Sequence, residues 1–194
     1  MEIRSLEVLA LEKKHLLVLS LIYLEGRIGR RRISSELKLG EGEVRGIIKH
    51  LKQQELVEVK RGGVSLTEKG IQALLKILFT AGVRSMKLLV VPEICGKCLG
   101  IAIHLRGVGY GNIVETRDRA VRCGAEGALL MVFRNGVLEL PPNLGRLGEY
   151  YPKLEKKLLD MFQLREGDGL ALVYAKNMTG ALQGGFGILD PHPL

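Results

Sequence analysis

The chain has 194 residues, 46% of them hydrophobic and 26% charged, enough to build one ordinary domain or two small cores and to exclude global disorder. Lys and Arg number 29 against 21 Asp and Glu, a net +8 that favours polyanionic partners. The longest apolar stretch, Leu16 to Leu24, is broken by Ser20 and is too short to span a bilayer, and three cysteines are too few for a disulfide scaffold; both point to a cytoplasmic protein with mostly reduced thiols.

In chain order, Leu6, Leu9, Leu16, Leu17, Leu21 and Leu24 recur at helical spacing, which predicts a long amphipathic helix that stops at Gly26. A short helix fits Arg30 to Leu37, with Ile33 and Leu37 on one face. After the break Lys38-Leu39-Gly40, a third helix fits Glu43 to Gln54. There Val44, Ile47, Ile48 and Leu51 form one stripe, and Arg45, Lys49, Lys52 and Gln53 fall on other faces. Leu56 to Lys60 and Val64 to Leu66 alternate around Arg61-Gly62-Gly63, a hairpin pattern. Thr67 is placed to cap a last helix carrying Ile71, Leu74, Leu75 and Leu78.

Helix, helix, turn, helix, hairpin, helix is the order of a winged helix-turn-helix domain. The segment ISSELKLGEGEVRGIIKHLKQQELVEVKRGGVSLTEKG resembles the DNA-binding modules of winged-helix transcriptional regulators, in particular sugar-responsive repressors of the SorC and central glycolytic gene regulator type. The resemblance implies double-stranded DNA as partner and a homodimer set on a two-fold operator. A helix of this size fits the major groove. Arg45 and Lys49, four residues apart, and Lys52 are then placed for phosphate or guanine, Lys60 and Arg61 for a wing, and Arg30, Arg31 and Arg32 for phosphates at the second helix. Glu41 and Glu43 open the third helix; they suit the helix dipole and repel phosphate. A winged helix used as a protein-interaction scaffold is the alternative.

Past a break at Ala81 to Ser85, most of the glycines follow. We place the boundary there: residues 1–82 for DNA binding, 83–194 an α+β unit for dimerisation or for sensing a small-molecule effector. Strands fit Met86 to Val91, Leu99 to Leu105, Gly127 to Phe133, Val137 to Leu140 and Gly169 to Ala175; helices fit Val114 to Cys123 and Leu147 to Leu164. Asn135-Gly136 marks a hairpin, and a last helix over Asn177 to Leu189 is weakened by Gly180, Gly184, Gly185 and Gly187. From Leu99 the order is that of a ferredoxin-like split βαβ sandwich. The segment TRDRAVRCGAEGALLMVFRNGVLELPP resembles archaeal proteins that carry a winged helix before a small α+β domain, which implies a shared architecture and imports no ligand.

Cys95-Gly96-Lys97-Cys98 can chelate zinc or form a redox pair; a closed metal site needs two further ligands, for which Cys123, His104 and the distant His192 are the candidates. Two idle thiols in a turn fit the same pattern, and so does a small thiol- or metal-dependent protein. The Gly107 to Asn112 loop precedes a helix, as anion-cradling loops do, yet it lacks the dinucleotide spacing and a Walker-type lysine. His15, His50, His104 and His192 are scattered, and no hydrolase, metalloprotease or paired-carboxylate motif occurs, so no enzyme is expected.

Overall fold

The computed structural model describes residues 11–107 and 110–189. The chain divides at Thr80 and Ala81 into two compact units.

In the first unit α1 spans Lys13–Glu25, and its part from His15 to Ile22 is buried continuously. Its start is closed by a reciprocal pair: the Glu12 carboxylate accepts the His15 N–H, and His15 Nδ1 accepts the Glu12 N–H at 3.2 Å. Gly26, at φ +76°, ends it. Leu6 and Leu9 lie outside the described residues. A two-residue strand, β1 (Arg27–Ile28), follows; it is too short to leave a periodic signal and was not expected. Helix α2 covers Arg30–Leu37 and buries Ile33 and Leu37.

Helix α3 covers Glu41–Gln53, starting two residues before the expected Glu43. Gly40 is its N-cap, and Glu41 and Glu43 sit in the first turn, where the dipole favours carboxylates. The hairpin is β2 (Val57–Lys60) and β3 (Gly63–Leu66), joined at Arg61-Gly62 and paired in register Val59 with Val64 and Lys60 with Gly63. Strand β1 adds to the other side of β3. Gly63 is required there: a Cβ would lie 2.6 Å from the Ile28 carbonyl oxygen. Helix α4 (Glu68–Thr80) is started by Thr67, whose hydroxyl accepts the Gly70 N–H at 3.0 Å and donates to the Glu55 carbonyl at 2.6 Å.

The second unit is a five-stranded antiparallel sheet in the order β4-β5-β8-β6-β7, formed by β4 (Val83–Val90), β5 (Leu99–Leu105), β6 (Gly127–Arg134), β7 (Val137–Glu139) and β8 (Gly169–Ala175). Four-residue α5 (Pro92–Cys95) lies in the β4–β5 connection. Helix α6 (Ile113–Arg122) links β5 to β6, and α9 (Met178–Leu189) follows β8. The β7–β8 link carries two helices, α7 (Leu147–Tyr150) and α8 (Pro152–Met161). Side chains alternate across the sheet. Leu89, Ala102, Leu170, Leu172 and Met131 meet Leu147, Leu154, Leu158 and Phe162 on one face. Met86, Ile101 and Ile103 point the other way, toward Leu182 and Phe186 of α9.

The α+β class therefore holds, while the ferredoxin-like strand order does not. Helix α6 does join two parallel strands with a third between them, as in a split βαβ unit, but the inserted strand is β8. A ferredoxin-like order puts β7 in that place. Strand β7 has only three residues and runs into Pro141-Pro142, so it suits an edge. Strand β8, buried except for Tyr174, can occupy the centre. The helix expected over Leu147 to Leu164 is broken at Tyr151, which Pro152 holds outside the helical region at φ −137° and ψ 68°.

Candidate nucleic-acid interface

Val44, Ile47, Ile48 and Leu51 bury one side of α3. At 3.6 residues per turn Lys49 then shares the opposite side with Gly42, Gly46 and Gln53, Arg45 and Lys52 flank it on the edge next to Ile48, and all six are exposed. Among the described residues Arg45, Lys49 and Lys52 meet no carboxylate. Gly42 and Gly46 face open space, so no neighbouring atom requires their lack of a side chain.

The Glu43 carboxylate is answered by the Lys14 ammonium of α1, which holds its pKa below the ordinary value through a hydrogen bond and its charge. Nothing in the sequence pairs these residues, which lie 29 positions apart. The repulsion expected from Glu43 is thus locally balanced, and Glu41 stays exposed.

The remaining cations divide. Arg30 and Arg31 are exposed and unpaired among the described residues, as is Arg61 at the hairpin tip. Arg32 is held by Glu25 at 2.8 Å and Glu36 at 3.5 Å, and Lys60 by Glu58 at 2.7 Å. Those two cations are engaged by the protein, so the cationic surface is narrower than the count of charges implies. Behind α3, the rings of His15 and His50 meet edge to face at 4.9 Å between centroids. Burial pushes the His15 pKa down, the neighbouring His50 adds to the effect, and Glu12 opposes it.

In the second unit the metal candidates are not brought together. Cys95 and Cys98 are joined to each other in a disulfide, which withdraws both thiolates and departs from the expectation of reduced thiols. Cys123 lies against Gly187 of α9. His104 is buried, its Nε2 2.8 Å from Asp168 Oδ2, and that carboxylate also accepts the Arg165 N–H at 2.9 Å. Among the described residues no three His, Cys, Asp or Glu converge as a metal site would need. His192, Val108 and Gly109 lie outside the described residues. The loop ahead of α6 offers no free anion cradle at its end, because the Asn112 side chain itself accepts the Val114 and Glu115 N–H groups. Also among the described residues, no helix is long and apolar enough to cross a membrane.

Comparison with known proteins separates along the same division. Residues 11–79 match the family model described as CggR N-terminal DNA binding domain, and residues 94–189 match one described as a domain of unknown function, DUF4443. The central glycolytic genes regulator of Bacillus subtilis (strain 168) is 38% identical over 68 residues, which are 35% of this chain and 20% of that protein. The match thus spans about a fifth of the length of the curated relative. A hypothetical protein from Pyrococcus horikoshii OT3, of solved structure, is 25% identical with a TM-score of 0.72, over 92% of this chain and 91% of its own. The first unit therefore has the winged-helix element order and is similar to the N-terminal DNA-binding domain of central glycolytic gene regulators.

Proposed function

We propose that the chain is a sequence-specific DNA-binding transcriptional regulator, acting as a cytoplasmic homodimer, with α3 as the helix that enters the major groove. The observation that carries this reading is the exposed side of α3: three cations without carboxylate partners, backed by a fully apolar stripe. Arg45 and Lys49 read or grip the groove, Lys52 and Arg61 meet the backbone, and Arg30 and Arg31 reach phosphates beside α2. The second unit supplies dimerisation, effector sensing or both. An effector acts only by binding the DNA-competent and incompetent arrangements unequally. No cofactor and no catalytic step enters this mechanism.

The test is selection of bound fragments from genomic DNA, followed by titration of the selected duplex at several salt concentrations. The affinity of the wild-type chain falls steeply with salt, and each phosphate contact contributes about 0.9 to the log–log slope. Arg45→Ala with Lys49→Ala abolishes the sequence preference and flattens the slope. Unchanged fragment selection by this double variant would reject α3 as the groove helix.

A further inference from the structure

The second unit has a cleft of about 460 Å³ beside the β6–β7 hairpin, within the usual size range of small-molecule sites. Its apolar side includes Val132 and Leu140, and its rim carries Arg134, Glu139, Arg146 and Glu149. These charges are not equivalent. Arg134 and Glu139 face each other at 3.6 Å and largely answer one another. Arg146 and Glu149 stand only three residues apart, yet among the described residues neither has an ion-pair partner. Arg146 is the extended N-cap of α7, at φ −97° and ψ 146°, which keeps its side chain out of the i,i+3 geometry that would pair it with Glu149. Both residues line the same cleft, the Glu149 carboxylate lying over Gly145, which has no side chain to exclude it.

The wall that holds them is fixed. The Leu140 N–H donates to the Gly145 carbonyl and the Leu144 N–H to the Leu140 carbonyl, both at 2.9 Å. The Tyr150 hydroxyl donates to the Leu144 carbonyl at 3.0 Å, and Glu139 bridges to Arg146 through the backbone. The loop backbone is thus in place before binding, and only the two side chains need to be ordered by a ligand.

We infer that this cleft binds a zwitterionic amino acid with an apolar side chain. The ligand's carboxylate meets the Arg146 guanidinium, its ammonium meets Glu149, and its side chain lies toward Val132 and Leu140. A simple anion would satisfy Arg146 and leave Glu149 repelling it; a simple cation would do the reverse. Only a molecule carrying both charges answers both groups. The inference rests on the reading above solely for its consequence, since it gives a chemical class to the effector proposed for this unit.

The probe is L-leucine, titrated into the isotopically labelled full chain without DNA and followed by amide resonances. Saturable shifts are expected over Leu140 to Glu149. N-acetyl-L-leucine, which lacks the ammonium, and L-leucinamide, which lacks the carboxylate, each bind about tenfold or more weakly, as expected for loss of one charge-assisted contact. Arg146→Gln and Glu149→Gln, both at exposed positions, weaken leucine binding to a similar degree and leave the other resonances in place. Absence of saturable shifts at millimolar leucine, or equal binding of leucine and both blocked analogues, overturns the inference. DNA retention by the same unliganded sample is measured separately, so failure here is distinct from failure of the regulator reading.

Discussion

Two helices rich in glycine use that residue in opposite ways. In α3, Gly42 and Gly46 look outward and nothing lies within 4 Å of where a Cβ would stand. In α9, Gly180 is pressed so close to the preceding segment that a Cβ would sit 2.3 Å from the Gly124 carbonyl oxygen. Gly184 and Gly187 would meet Ala125 and Cys123 at 2.6 and 2.7 Å. Each glycine weakens its helix by up to about 1 kcal/mol relative to alanine. In α9 that loss is offset by close packing onto α6 and the sheet. In α3 no packing answers it, so the bare surface is either incidental or serves an object outside the chain. Composition alone does not distinguish a packing glycine from a clearance glycine; the neighbouring atoms do.

The sharpest way to break this contrast is Gly180→Ala. The added methyl meets backbone, which cannot swing aside as a side chain can, and overpacking of this kind typically destabilises by about 1–3 kcal/mol. Thermal unfolding followed by hydrogen exchange should show the loss in the second unit and not in the first. Unchanged protection of β8 and α6 would mean that the close approach is not a constraint.

A smaller effect should come from acid, and it should separate the units. His15 has a native pKa below its ordinary 6.5, because burial and His50 disfavour its charge. Its contribution to stability is complete above the unfolded value and is lost as pH falls through the native one. For Asp168 burial works to raise the pKa, but hydrogen bonds from His104 and the Arg165 N–H and the charges of His104 and Arg84 outweigh it, so the native pKa is below the ordinary 3.8. Its contribution is complete above that value and is lost only as pH falls through the lower, native pKa. Denaturant unfolding between pH 7.5 and pH 5 should therefore weaken the first unit and spare the second, and His15→Gln should flatten the first unit's slope. Equal pH dependence of both units would contradict this assignment.

The smallest expected change is a gain. Gly46→Ala should stabilise the first unit by up to about 1 kcal/mol, because helix propensity improves and no atom is displaced. A loss of stability there would show a constraint on α3 that the packing does not reveal.

Legibility followed the range of the interaction. The α3 stripe, the Thr67 cap and the Asn135-Gly136 turn, whose residues adopt φ of 49° and 81°, depend on near neighbours, and the sequence displays them. The break at Pro152 and the pairing of Lys60 with Glu58, two residues apart on one strand face, are equally local and still escape the reading, because the apolar spacing runs on through Leu147 to Leu164 and Lys60 is assigned to the wing. Lys14 with Glu43, and His104 with Asp168, 64 positions apart, join distant segments, and no spacing rule announces them. The same holds for β8 entering between β5 and β6, a choice made by burial and strand length. The exposed cations of α3 could be listed from the sequence, but the release of Arg45 and Lys49 and the capture of Arg32 needed coordinates.

The Lys14–Glu43 bridge also bears on how quickly a polyanion is met. It ties a carboxylate at the mouth of α3 to an ammonium from another helix, so the pair adds no net charge there, and on the proposed reading the potential toward a duplex is set by the unpaired cations. Encounter rates depend on that summed potential more than on any single contact.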